Sequence, residues 1–291
     1  MLAIRVPLTV VETGEVQTPA LFGFIRPRLL LPVGMTKGFS LRELRLIFLH
    51  ELAHLRARDI LIWEEGKAGW LEVDTVALCG GSVAGEFVWM VDGVDYATTW
   101  VEVRAMWGRG QAGTLAALQD IEARLPFALL GLDSDNGGEF LNYHVLRWLQ
   151  KRARPVFMTR SRPYKKDDNA HVEQKNWTHI RQCFGYERYD NPEVVDAINA
   201  LVREGYGQLL NYFHASLKLD HKVHHEGRIR RIYGPAQTPL ARVLSSAQVL
   251  PQTKRRLERE KAGLNPFALK REIARSLKKI SALRQARRPA L

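Results

Sequence analysis

Two sets of residues in this sequence have the types and spacing for metal chemistry. The first is His50-Glu51-Leu52-Ala53-His54, inside "LIFLHELAHLRARDI". On a helix, two imidazoles four positions apart share one face and can share a zinc ion. Glu51 beside them can act as general base for metal-bound water. A catalytic zinc ordinarily takes three protein ligands, and this segment supplies two. The next acidic residues, Glu64, Glu65 and Glu72, fall at or beyond a change in sequence character.

The second set is three carboxylates. Asp74 lies in the middle of "WLEVDTVAL", an otherwise apolar run. A carboxylate there costs stability unless it is paired, metal-bound or at an open edge. Asp135 follows another apolar run in "LDSDNGGEF", at a strand's carboxyl end, where α/β sheets collect ligands. Glu173 falls near the start of the helical segment "NAHVEQKNWTHIRQCF". Two strand positions and a facing helix can hold two divalent cations, which activate an attacking oxygen and stabilise a leaving one in phosphoryl transfer. Oxygen-only ligands favour magnesium or manganese over zinc. Taken singly, each residue also has a plainer reading. These are an acidic turn for Asp135 (with Asp133, Asn136 and two glycines), a capped surface residue for Asp74, and an exposed helix carboxylate for Glu173.

The elements that would position these groups fall into three regions. Residues 1–62 read as a small α+β appendage. Its β-branched runs are broken by Gly and Pro, and one helix follows, opened by a capping box from Ser40 to Glu43, with Leu44, Ile47, Phe48, Leu52 and Leu55 at helical spacing. Residues 63–244 begin with three strand-like runs separated by Gly-containing turns, then alternate helices with strands. That order predicts a mixed α/β sheet with an antiparallel meander at one side and helices on its faces. The stretch 214–250 reads as irregular, and "NPEVVDAINALVREGYGQLLNYF" as one helix. Residues 245–291 read as a basic helical tail in two pieces split at "GLNP".

Charge is concentrated in that tail. The net charge is +12, and residues 251–291 hold thirteen Lys/Arg against three Glu. Such a tail suits phosphate backbones or an acidic surface, or it is a solvated helical face. Two cysteines make no disulfide framework or Cys-rich zinc site. No continuous apolar run is long enough to cross a bilayer, and the first residues lack a signal-peptide pattern. A soluble, cytoplasmic protein with no membrane partner is expected.

"LEVDTV", "LDSDNGGEF" and "DDNAHVEQKNWTHIR" together resemble the catalytic core of DDE transposases and retroviral-type integrases. The last two are similar to that family's Asp-Asn-Gly and Asn-x-x-Val-Glu signatures. The resemblance runs from about Glu65 to Leu244 and includes "YGPAQTPLARVL", which looks like the end of the core in insertion-sequence transposases. It implies an RNase H-like fold and DNA strand transfer, with Asp74, Asp135 and Glu173 as a magnesium or manganese triad. Asp135 and Glu173 are 38 positions apart, close to the family's usual interval. In such a site Lys165, Lys166, Lys175 and Arg181 would bind phosphates, and Asn136 and Asn169 would orient the carboxylates. The implied partners are DNA (element ends and target) and further copies of the chain.

"TPALFGFIRPRLLLP" with "LRLIFLHELAHLRARDI" resembles the zinc-peptidase segment of the BlaR/MecR-type antirepressors. That resemblance stops near Ile62. Those proteins are polytopic membrane proteins and need a further ligand after the HExxH helix. The expectation is therefore peptidase ancestry without peptidase activity, and no zinc held at His50 and His54. The alternative is a truncated zinc metallopeptidase. The chain reads as a fusion in which this fragment stands where such transposases carry an end-recognition region. Strand transfer by the fused form would then be compromised.

Overall fold

The computed structural model describes residues 8–14, 20–22, 28–35, 44, 48, 67–134, 140, 143–154, 156–160, 176–225 and 228–286. The chain divides into two compact units, Met1–Glu65 and Gly66–Leu291. In the first, β1 (Thr9–Thr13) pairs parallel with β3 (Arg28–Pro32), and β2 (Ala20–Phe22) pairs antiparallel on its other side. Leu29 and Leu31 alternate inward along β3, and Leu44 and Phe48 are helical and half-buried. His50, Glu51 and His54 lie outside the described residues.

The second unit is built on a five-stranded sheet in the order β6-β5-β4-β7-β8. β4 (Trp70–Ala77), β5 (Val88–Asp95) and β6 (Val101–Trp107) run as an antiparallel meander, joined by the Gly-containing segment 78–87 and by the glycine-free turn 96–100, where Thr99 takes a φ of 59°. Helix α1 (Gln111–Arg124) then carries the chain across to β7 (Gly131–Ser134), which pairs parallel with β4. After α2 (Tyr143–Gln150), β8 (Phe157–Arg160) adds parallel to β7. A mixed sheet with an antiparallel meander at one side and helices on its faces is the α/β architecture expected from the order of elements.

Side-chain alternation splits the core into two layers. Leu71, Val73, Val91 and Leu132 point to one face and pack with Leu118 and Ile121 of α1 and Val145 and Leu149 of α2. Val76, Met90, Val94 and Val103 point to the other and pack with Ile180, Phe184, Val194 and Ile198. The outer edge of β6 is closed by side-chain amides. Asn199 and Asn211 each bond both the N–H and the C=O of a β6 residue, Ala105 and Val101 respectively. Pairing those groups removes an open sheet edge.

Three expectations change here. The segment read as one helix is α4 (Val194–Leu201), a π-helical turn Val202–Tyr206, and α5 (Gly207–Phe213). The described part of the segment carrying Glu173 is likewise π-helical over Trp177–Arg181 before the short α3 (Gln182–Phe184). The stretch 214–250 is ordered. It contains an antiparallel ribbon, β9 (Leu219–His225) with β10 (Arg228–Tyr233), and α6 (Pro239–Ser245), capped by the Thr238 hydroxyl. Charged residues occupy both faces of the ribbon sequence, so it shows no apolar alternation. The basic segment forms α7 (Pro251–Ala262) and α8 (Pro266–Gln285), split where "GLNP" predicts. Leu257 joins one core layer, and Ile273 and Ile280 join the other. No described helix is long and apolar enough to cross a membrane.

Candidate active site on the acidic face of the sheet

Asp74 is at the centre of β4 and points to the face that also carries Val76 and Met90. Three more carboxylates share that face by strand alternation: Glu72 on β4, Asp92 on β5 and Asp133 on β7. Glu72, Asp92 and Asp133 are buried, and Asp74 is half-buried. Asp92 lies directly across the ladder from Asp74. Like charges so placed destabilise a sheet, so a fold that keeps both must answer each with a partner.

The partners come from one turn of helix. Asn176 Nδ2 donates to Asp74 Oδ2 at 2.5 Å, while the Thr75 backbone N–H donates to Asp74 Oδ1 at 2.7 Å. Three residues on, His179 Nδ1 lies 3.1 Å from Asp92 Oδ2. A carboxylate only accepts, so Nδ1 carries the hydrogen. The turn is held at two further points. Tyr206 donates its hydroxyl to the Thr178 carbonyl at 3.0 Å, and Arg181 Nη2 donates to the Ala77 carbonyl at the end of β4 at 2.9 Å. Burial, with Cys183 and Asp92 nearby, pushes the Tyr206 hydroxyl well above its ordinary pKa, so it serves as a neutral donor. Trp177, between the tethered positions, is 54% exposed.

The ladder of β4 with β7 also sets the site. Trp70 faces Gly131 and Val73 faces Ser134, so β7 ends beside Asp74. The next residue in sequence is Asp135. Asp135, Asn136, Lys165, Lys166, Asn169, Glu173 and Lys175 all lie outside the described residues. Arg181 is described, and its guanidinium is turned to the protein. It bonds the Ala77 and Gly185 carbonyls and sits 4.9 Å from the Tyr186 ring centroid.

Among the described residues, no group of three or more His, Cys, Asp or Glu side chains could hold a metal ion. The chemistry of the face nevertheless suits a hard cation. Asp92 Oδ1 and Asn176 Oδ1 are buried oxygens without a hydrogen-bond partner. Acceptor oxygens in excess of donors are what magnesium and manganese take. Asp92, Asn176 and His179 were not among the residues singled out by sequence. The signal for Asp92 is an acid inside the apolar run "FVWMVDGVDY", the same signal that marked Asp74. For Asn176 and His179 nothing in "KNWTHIR" distinguishes a tether from a surface residue.

Three comparisons bear on these observations. Residues 2–64 match the family BlaR1 peptidase M56, which covers the first unit. The chain is 37% identical over 182 residues to an uncharacterized protein, y4rM, of Sinorhizobium fredii (strain NBRC 101917 / NGR234). That match takes in 62% of this chain and 51% of that protein, so the chain spans about half the length of the curated relative it matches. Among solved structures, the catalytic core domain of BIV integrase is similar over 52% of this chain and 88% of its own, at 14% identity and a TM-score of 0.34.

Proposed function

We propose that the second unit carries out metal-dependent DNA strand transfer, cutting and joining phosphodiester bonds with Asp74, Asp135 and Glu173 as its carboxylates. One observation carries this reading. The β4–β7 register brings the strand end that precedes Asp135 beside Asp74, and the amide that holds Asp74 belongs to Asn176, three positions after Glu173. The described ends of the two later motifs, Ser134 and Asn176, thus lie against β4 at Val73 and Asp74, which supports the reading. Two magnesium or manganese ions bound there would activate the attacking oxygen and stabilise the leaving one. The chain's own work is to fix Asp74 through Asn176 and Thr75, and to gather oxygen ligands on one face.

DNA is the proposed partner, engaged by Lys165, Lys166 and Lys175 near the site and by the basic helices α7 and α8. Arg181 is also proposed for these contacts, through the N–H groups left over from its bonds to the Ala77 and Gly185 carbonyls. A homo-oligomer acting in the cytoplasm completes the proposal, with Asn136 and Asn169 orienting the carboxylates. Manganese-dependent cleavage of supercoiled plasmid by the purified chain tests it. Asp74→Asn should abolish cleavage without lowering the melting temperature, and retained cleavage by that variant would sink the reading.

A second reading rests on the match of residues 2–64 to the BlaR1 peptidase M56 family: a zinc peptidase using His50, Glu51 and His54. Two imidazoles leave the metal one protein ligand short of the usual catalytic set. Weak zinc binding and no proteolysis are therefore expected. Zinc titration by calorimetry beside a casein digest decides it, and Glu51-dependent proteolysis with tight zinc would favour the peptidase.

A further inference from the structure

We infer that His179 and Asp92 are positioning residues for the proposed metal ligand Asp74, and that their buried pair sets where Asn176 meets Asp74. The proposal rests on the strand-transfer reading of the site and deepens it. Asp74 and Asp92 are partners across one antiparallel ladder, and Asn176 and His179 are three apart at one π-helical turn. The two contacts therefore run side by side between the same two elements, 2.5 Å for Asn176 to Asp74 and 3.1 Å for His179 to Asp92. With the Tyr206 and Arg181 tethers holding the turn at Thr178 and at its end, the two parallel contacts set how Asn176 is presented to Asp74.

The surroundings of the pair are apolar. Asp92 is 0% exposed and His179 is 7% exposed, between Met90 and Val94 on the sheet and Ile180 on the turn, all apolar and buried. Replacing a buried polar pair with apolar side chains of similar volume is commonly neutral or stabilising, so such a pair is weak evidence for stability. The turn is also π-helical, a geometry that recurs at functional sites as a local insertion. Asp92 Oδ1 remains buried without a partner, so His179 is the hydrogen-bonding neighbour that orients this carboxylate. In metal sites, groups that orient the ligands are worth roughly 10- to 100-fold in affinity.

The experiment compares full-length wild type, Asp74→Asn, His179→Ala and His179→Asn for Mn2+ affinity by calorimetry, with melting temperature measured alongside. Asparagine places an amide nitrogen near the position of Nδ1 and can remake the bond to Asp92. Asp74→Asn should lose binding, His179→Ala should weaken it by about 10-fold or more, and His179→Asn should restore most of it. If the alanine variant does not fold, the double variant Asp92→Asn/His179→Ala, which strands no buried charge, takes its place in the comparison. Wild-type affinity in the His179→Ala (or double) variant, with loss in Asp74→Asn, overturns the positioning role and leaves the metal-site reading standing. Equal loss in His179→Ala and His179→Asn overturns it too, since a remade bond would then restore nothing. Mn2+ affinity unchanged by Asp74→Asn, or no Mn2+ binding by the wild type, overturns the metal-site reading and this inference with it.

Discussion

The ring of Trp70 fills the space over Gly131, its partner across the β4–β7 ladder. A β-carbon built on Gly131 would lie 2.1 Å from Trp70 Cε3. The indole also stacks on Phe157 of β8 with ring centroids 6.1 Å apart, so one side chain spans three strands and locks their register. That register is what sets the end of β7 beside Asp74. Gly131→Ala should therefore force the ring aside, at a cost of about 1–3 kcal/mol. A urea denaturation midpoint equal to wild type would show that the strands absorb the methyl group.

Asp120 on α1 governs part of the acid stability. Burial acts to raise its pKa, but hydrogen bonds from Arg104 and Arg203 outweigh this and hold it below its ordinary value of 3.8. A carboxylate depressed in the folded state contributes stability above its unfolded pKa. It loses that contribution as pH falls through the folded value. The protein should thus lose stability below about pH 4, and Asp120→Asn should flatten that limb. It should also be less stable at neutral pH, because Arg104, 1% exposed, loses one of its carboxylates and keeps only Glu102. Melting temperatures between pH 3 and 7 for the two proteins check both effects.

The basic helices can be tested without removing them. Leu257, Ile273 and Ile280 are buried in the core, so deleting residues 251–291 would expose apolar surface as well as remove charge. Lys270, Arg271, Lys278 and Lys279 on α8 are exposed, and replacing all four with Gln leaves the packing face intact. If these residues meet duplex phosphates, the log–log salt dependence of DNA binding should flatten by about 0.9 for each phosphate no longer neutralised. An unchanged slope would mean that α8 is a solvated face.

Cys183 should be chemically silent. Burial pushes its thiol up to about 12, so almost no thiolate exists at pH 8. Native protein treated with a disulfide reagent at that pH should leave Cys183 unmodified by mass spectrometry until it is denatured. Rapid native labelling at this position would show that the α3 segment opens readily.

The architecture was largely legible from order and alternation. "WLEVDTVAL" marks Asp74 as a carboxylate inside a strand, and three short strands before a helix already imply a meander at one side of a mixed sheet. Gly- and Pro-bearing breaks placed the ends of α7 and α8. These are local properties, written in neighbouring residues through period, propensity and capping. The partners of the acids were not legible. Asp74 and Asn176 are 102 positions apart, and Asp92 and His179 are 87 apart, so their meeting depends on sheet register and on the path of a helical turn. The same holds for Arg181. Its charge reads as a phosphate ligand, and only the fold shows that it also reaches the Ala77 carbonyl. The β9–β10 ribbon also escaped sequence reading, because its pairing comes from backbone hydrogen bonds and its side chains carry no apolar period. Local order determined what kind of sheet this chain builds. Long-range packing decided which groups face its carboxylates, because a contact across the fold has no period along the chain.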